Sequence, residues 1–478
     1  MKSYETVIGL EVHVELATKS KIFCGCTTQF GGDPNTHCCP VCTGMPGTLP
    51  VLNKQVVNYA IAAGLALNCS ITQKCKFDRK NYFYPDLPKA YQISQLYLPI
   101  CRDGGIEIET EAGKKTVRIH EIHMEEDAGK LMHDPWEDCT LVDYNRCGVP
   151  LIEIVSEPDM RSAEEVIAYL DKLKLILQYL GVSDCKMQEG SLRADINLSI
   201  CEVGAKEFGT RTEMKNMNSF KAIARAIEGE RKRQIELLEY GGKVTQETRR
   251  WDDNKDSSFA MRSKEDAQDY RYFPEPDLPP IEISEEWLEE IQSHQPELRD
   301  EKMLRYEKEF DIPAYDAAII TGSKHLADLF EETVAVCQKP KEVSNWLMVE
   351  TMRLLKEQEM DPEAITFTSG QLATLITMID DNKINRTIGK EVFEKIFKEN
   401  VEPEEYVKQH GLGMVSDDGL LRETVKKILL ANPQSVTDFK GGKTKAMGFI
   451  VGQTMKEMKG KADPGKVNEI VQEILETL

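Results

Sequence analysis

Apolar and polar positions alternate strictly near the start of the chain. In Ile8–Leu16, Leu10, Val12, Val14 and Leu16 share one face, and Gly9, Glu11, His13 and Glu15 share the other. A period of two marks a half-buried strand. After the breaks at Pro46-Gly47 and Pro50, a helical segment is predicted over Asn53–Leu67. Ile106–Ile119 predicts a hairpin turning at Glu111-Ala112-Gly113. Leu141–Pro158 predicts a strand pair, with Glu153 set among Leu151, Ile152, Ile154 and Val155. A helix is predicted over Ala163–Leu180, with Ser162 as N-cap, Glu165 completing a capping box and Gly181 just past its end. Val166, Ile167, Leu170, Leu173, Ile176, Leu177 and Leu180 form its apolar stripe. Alternation returns in Gln188–Asn197, which places Arg193, Asp195 and Asn197 on one face, and in Gly209–Asn216. A basic helix over Ser219–Tyr240 follows.

From about Glu285 the texture changes. Strand signals vanish and the helical period dominates from Trp287 to about Lys398, with a second break near Glu402-Pro403-Glu404. The chain of 478 residues exceeds what one hydrophobic core usually holds. These changes divide it into 1–290, 291–405 and 406–478.

Hydrophobic content of 41% and charged content of 29% describe an ordinary globular chain. No apolar run approaches membrane-spanning length. The opening Met1-Lys2-Ser3-Tyr4-Glu5 leads straight into a strand, so neither a secretory nor a transit peptide is expected and a cytoplasmic location follows. The 13 cysteines are an odd number, consistent with mostly reduced thiols. Net charge is −21, which disfavours a general nucleic-acid surface but leaves room for a local one. Between Lys440 and Lys461 lie six lysines, Lys440, Lys443, Lys445, Lys456, Lys459 and Lys461, against one acid, Glu457. They suit phosphate contacts; a solvated lysine-rich face is the alternative. Gly442-Lys443-Thr444 imitates the end of a phosphate-binding loop, but Thr437 stands where its first glycine is required.

Candidate chemistry lies mostly upstream. The polar face of the first strand carries carboxylate, imidazole and carboxylate at roughly 7 Å intervals, a row that can hold a divalent cation. A solvated face with one surface histidine has the same pattern. Cys24-Gly25-Cys26 and Cys38-Cys39-Pro40-Val41-Cys42 give four thiolates on two knuckles, the spacing of a closed structural zinc site. Cys38 leaves the fourth ligand ambiguous, although the CxxC spacing favours Cys39. Phe77–Gln92 interleaves aromatics, basics and prolines, and predicts a loop too broken for a regular element. His120–Lys130 packs two histidines and four acids into a stretch that must be either solvated or gathered on cations.

Together, Ile8–Glu15, Phe77–Gln92, His123–Lys130, Asp143–Asp159, Gln188–Asn197 and Asp269–Pro276 resemble the GatB/GatE family, to which the B subunits of the aspartyl/glutamyl-tRNA amidotransferases belong, over essentially the whole chain. The resemblance implies an α+β fold, with a mostly antiparallel cradle domain, an all-α helical domain and a small all-α tail like the YqeY family. It implies an ATP-dependent ligase. The side-chain carboxylate of Glu-tRNA(Gln) or Asp-tRNA(Asn) is phosphorylated and then amidated. Ammonia for this step is released from glutamine by an amidase-type A subunit, in a heterotrimer completed by a small C subunit. The resemblance assigns catalytic roles to Glu11, His13, Lys80, Lys89, Glu125, Glu126, Arg193 and Arg211, with Lys80 and Lys89 on the ammonia passage. Magnesium would fall to Glu11, His13, Glu126, Glu153, Asp195 and Glu213, structural zinc to Cys24, Cys26, Cys39 and Cys42, and the tRNA body to the six tail lysines. His123 and Asp127 are less certain, because alternation cannot put all of His123–Asp127 on one face. A non-catalytic tRNA-binding scaffold is the alternative of another class. The archaeal GatE type carries an insertion for which this chain is too short.

Overall fold

The computed structural model describes residues 3–134, 136–263, 269–414, 418–440, 445–458 and 462–477. Two compact units divide at Leu298/Arg299. The first is built on one nine-stranded sheet. Its strands in chain order are β1 (Tyr4–Glu15), β2 (Ser70–Ile71), β3 (Cys101–Thr110), β4 (Gly113–Glu126), β5 (Pro150–Ser156), β6 (Leu192–Glu202), β7 (Thr212–Lys215), β8 (Glu247–Asp252) and β9 (Ser257–Ser263). They lie side by side as β9-β8-β7-β6-β1-β5-β4-β3-β2. Every pairing is antiparallel except β7 with β8. The opening strand is therefore central, paired along β6 from Tyr4 to Val14 and along β5 from Glu11 to Glu15.

Alternation decides which face of the sheet is buried. Leu10, Val12 and Val14 of β1, Ile152 and Ile154 of β5, and Ile196 and Leu198 of β6 are all buried. They join one cluster with three helices, α1 (Lys54–Ala66), α2 (Ala163–Tyr179) and α3 (Phe220–Glu239). Each such side chain contributes about 1.5–3 kcal/mol relative to exposure. Ser162 caps α2, its hydroxyl accepting the Glu165 N–H at 3.2 Å. Glu165 does not close the predicted capping box. Its carboxylate takes the Arg161 N–H at 2.7 Å and the Lys115 ammonium at 2.8 Å instead. Gly181, at φ +69°, ends the helix in the left-handed region.

Two local expectations are corrected. Phe77–Gln92 is not devoid of regular structure. Asp78–Asn81 and Tyr91–Ser94 pair antiparallel, and Phe273–Pro274 adds a third strand from far along the chain. Arg79 locks that addition, donating to Glu275 at 2.7 and 3.0 Å and to Asp277 at 3.0 Å. The two strands of Leu141–Pro158 do not pair with each other. Thr140–Asp143 pairs with Lys130–His133, while β5 enters the central sheet between β1 and β4. Periodicity marks a strand but does not name its partner, whether that partner is near in sequence, as Tyr91–Ser94 is to Asp78–Asn81, or far, as β1 is from β5.

In the second unit all regular elements among the described residues are helical. One cluster runs from Tyr306 to Val407, so the Pro403–Gln409 helix packs with the helices before it. A second cluster joins Asp418–Ala431, Lys445–Glu457 and Pro464–Thr477 through Leu421, Val425, Ile450, Val467 and Val471. Among the described residues no helix is long and apolar enough to cross a membrane.

One buried polar network ties α3 to the sheet. Glu230, 1% exposed, accepts from Thr212 and Gln234 at 2.8 Å each and from both ends of the Arg233 fork at 2.7 and 2.8 Å. Arg249 stands 3.5 Å away. Burial alone would raise the Glu230 pKa, but these donors and the Arg233 charge hold it below the usual range. Glu230→Ala removes the buried carboxylate that Thr212, Gln234 and Arg233 share and should cost about 3–5 kcal/mol, read as lost hydrogen-exchange protection of the β6 and β7 amides. Because the folded-state pKa is depressed, the wild-type contribution is complete above the ordinary carboxylate range. It disappears as pH falls through the lowered pKa.

Candidate active site and metal centres

Strand register gathers the polar face of β1 with its neighbours. His13 lies between Arg193 of β6 and Glu153 of β5, and Glu153 lies opposite His123 of β4. One step along, Glu11 pairs with Asp195; Asn197 on the same strand pairs with Glu213 of β7. Two groups result. In the first, His13, Glu125 and Glu153 place a ligand atom each within 4.8 Å of one another; in the second, Glu11, Asp195 and Glu213 do the same.

Electrostatics in the first group centre on Glu153. Its Oε2 lies 2.9 Å from His123 Nε2 and 3.4 Å from His13 Nε2. Burial opposes the charge, yet His123 and His13 hold the Glu153 carboxyl well below its usual range. Both imidazoles are correspondingly raised against burial, His13 by Glu153, Glu125 and Asp195, and His123 by Glu153, Glu121 and Glu125. His123 is 8% exposed, and its Nδ1 has no hydrogen-bond partner; Glu121 is 3.6 Å away. A divalent cation at His13 would displace a proton, so affinity there is tied to pH.

The second group holds a cation of its own. Lys215 Nζ sits 2.6 Å from Asp195 and 2.8 Å from Glu213. Asn197 donates to Glu11 at 2.9 Å, but burial and then Glu153 keep the Glu11 carboxyl above its ordinary range. At the far end of the row Arg193 donates to Asp127 at 2.8 Å and lies 3.6 Å from Glu15. Burial opposes ionisation of Asp127, yet Arg193 and Arg146 push it down to about 2. Glu15, raised first by burial and then by the Asp127 charge, stands at about 8.

Each candidate from the sequence now has a place. Glu11, His13, Glu125, Glu153, Asp195 and Glu213 form the two groups, and Arg193 flanks them. Lys80 lies on the short sheet with its ammonium 4.9 Å above the Tyr270 ring. Burial works against its charge, but Tyr272, Glu125 and Glu153 keep its pKa above the usual range. Arg211 is exposed just before β7, where its charge helps lower the Glu213 pKa. Glu126 is not brought to either group. One residue beyond Glu125, it points away and pairs with Lys89, and it accepts the Ile93 N–H at 2.9 Å. Lys445 is described, on the helix Lys445–Glu457, as is Lys456. Lys443, Lys459 and Lys461 lie outside the described residues, as does the side chain of Lys440. Sequence reasoning assigned no role to Lys215, Tyr270 or Tyr272, and placed Glu15 only in the row of the first strand. Alternation in β7 puts Lys215 in step with Glu213 and was the available signal.

The knuckles converge as spacing predicts. Sulfurs of Cys24, Cys26, Cys39 and Cys42 lie within 4.8 Å of one another; a tetrahedral ZnS4 site has edges of about 3.8 Å. Cys38 turns away to the Asn35 carbonyl at 3.2 Å. Cys42 is pushed down to about 4 by a hydrogen bond with Cys24, against burial, with help from the Cys39 N–H and the Lys21 charge. A thiolate is thus already favoured where a metal needs one.

Fold and site together define an α+β protein whose central sheet carries a histidine–carboxylate face fit for divalent cations, beside a four-cysteine knuckle. The family model of the GatB/GatE catalytic domain matches residues 6–289, and that of the GatB domain matches 328–475. The chain belongs to this family. It is 79% identical over 475 residues to the aspartyl/glutamyl-tRNA(Asn/Gln) amidotransferase B subunit of Lachnoclostridium phytofermentans, covering 99% of both chains. Identity to the protein of the same name is 69% in Agathobacter rectalis and 60% in Caldicellulosiruptor bescii, covering 99% of this chain and 100% of each relative.

Metal analysis should find one zinc per chain. Cys39→Ser should lose it and Cys38→Ser keep it, because only Cys39 faces the quartet. Equal zinc loss in both variants would contradict that assignment.

Proposed function

We propose that this chain is the kinase and transamidase component of a tRNA-dependent amidotransferase. It works with an amidase-type A subunit and a small C subunit in the cytoplasm. The observation that carries the reading is the pair of adjacent ligand groups, His13–Glu125–Glu153 and Glu11–Asp195–Glu213, on one sheet face. The side-chain carboxylate of Glu-tRNA(Gln) or Asp-tRNA(Asn) attacks the terminal phosphorus of ATP, and ADP leaves. Ammonia then attacks the acyl phosphate carbon; phosphate leaves, a proton is lost and the amide remains. Phosphoryl transfer of this kind depends on positioning and charge neutralisation more than on a protein nucleophile, which suits a face of acids, imidazoles and cations.

The residues fit the roles by chemistry. The two groups would hold magnesium, whose contribution when bound is neutralisation of phosphate oxygens. Glu153 faces both His13 and His123, and His13 also faces Glu125, so each side chain of the group is oriented by its neighbours. Lys80, Lys215, Arg193 and Arg211 supply positive charge for anionic groups. The Lys80 ammonium lies over the rings of Tyr82 and Tyr270, and edge-on contacts of Tyr270 with Tyr82 and Tyr272 hold those rings in place.

The test is ATP hydrolysis by the assembled enzyme. It should require magnesium and be stimulated by mischarged tRNA. His13→Ala and Glu11→Ala should each lower amidation about 100-fold or more, as loss of in-line positioning does, while glutamine hydrolysis by the amidase component continues. Wild-type amidation by both variants at saturating ATP would overturn the cation assignment. ATP turnover indifferent to mischarged tRNA would favour the scaffold reading.

The tail is the second contact with tRNA in this proposal. Its lysines would touch phosphates and position the RNA without reading its sequence. Deleting residues 418–478 spares the cluster that ends at Val407. It should weaken tRNA binding and reduce the slope of log K against log salt by about 0.9 per phosphate contact removed. An unchanged slope would return the lysines to a solvated surface.

A further inference from the structure

Lys89 sits in a cage whose walls come from both cysteine knuckles. Phe23, the residue before Cys24, has its ring 5.9 Å below the Lys89 ammonium, and the Tyr91 ring lies 5.2 Å from it on another side. Gly44, two residues after Cys42, presses on the lysine from the second knuckle. A Cβ there would stand 2.5 Å from Lys89 Cγ and 3.3 Å from the Lys89 backbone. Gly44 also adopts φ +68°, so no other residue fits without strain. Cys24, Cys42, Lys21, Lys89, Tyr91 and Glu126 line one cavity of about 210 Å³. Lys21 is fully buried, and its ammonium donates to the His37 carbonyl at 2.7 Å and lies 3.5 Å from Cys42 Sγ.

The lysine's own backbone needs outside support. Ala90, the next residue, is held at φ +61°, a conformation that persists in a non-glycine residue only where its surroundings enforce it. The other end of the lysine is tied to Glu126, the neighbour of Glu125 in the first ligand group. A displacement of Lys89 is therefore passed by one peptide bond to a residue on the cation-binding face.

We propose that the cysteine quartet is a positioning device for Lys89. Closure of the two knuckles on one metal sets the Phe23 and Gly44 walls, and these walls fix the Lys89–Glu126 pair beside the active face. The consequence for turnover rests on the function proposed above, whereas the mechanical coupling does not.

The experiment separates the two. In the assembled enzyme, Lys89 is labelled with an amine-acylating reagent and its peptide is followed by mass spectrometry. Measurements are made with zinc bound and after zinc chelation with magnesium restored. Labelling of Lys89 should rise several-fold on zinc removal while Lys215, on β7, stays constant. An unchanged Lys89 rate overturns the proposal, and so does a parallel rise at Lys215, which would mean general unfolding. Gly44→Ala should retain zinc yet raise Lys89 labelling and lower amidation turnover several-fold. Gly47→Ala imposes a like strain at φ +87° where an added Cβ meets nothing, and should leave Lys89 labelling at the wild-type rate. Equal labelling in the two variants would show that backbone strain, not the wall, moves the lysine. If labelling responds as stated but turnover does not, the coupling stands and the role given to this face fails.

Discussion

Glu153 lies half-buried between His13 and His123, and this contact joins three adjacent strands. A buried carboxylate that loses its partners is costly. A slip of β5 by one residue would turn Glu153 into the apolar face and expose Ile152 and Ile154. The polar contact and the apolar packing therefore select the same register. Once β1, β5 and β4 are fixed in this way, β6 follows by pairing with β1, and Asp195 and Arg193 fall into step with Glu11 and His13. The site is the polar side of a register that the core also requires.

Charge on this face is balanced from within. Lys215 serves Asp195 and Glu213, two raised imidazoles serve Glu153, and Arg193 with Arg146 serves Asp127. Acids packed this densely would otherwise repel one another. A divalent cation bound on this face would have to displace protons or an ammonium group already present, so its affinity would depend on pH.

Two closures over long sequence distance complete the surroundings. Arg79 on Glu275 brings Tyr270 and Tyr272 against Lys80. The knuckles bring Phe23 and Gly44 against Lys89. Both lysines are therefore packed against segments from elsewhere in the chain, one fastened by the Arg79–Glu275 ion pair and the other carrying the four-cysteine cluster.

Much of this was legible in the chain. Period two in Ile8–Leu16 and Gln188–Asn197 identified the strands and put Glu11 with His13 on one face of the first and Arg193 with Asp195 on one face of the second, because alternation is a property of the backbone. Cysteine spacing named the quartet, because a knuckle is local. Its cap and apolar stripe placed α2 nearly to the residue. Partnership, by contrast, came from the folded chain. Glu126 departs from Glu125 because the end of β4 is buried on both faces, with adjacent residues pointing opposite ways. Lys215 and Glu15 gained their significance from neighbours on other strands, and Cys38 lost its ambiguity only when the loop was folded. Local periodicity sets which way a side chain points; what it meets there depends on strands and loops that the core brings in from elsewhere in the chain.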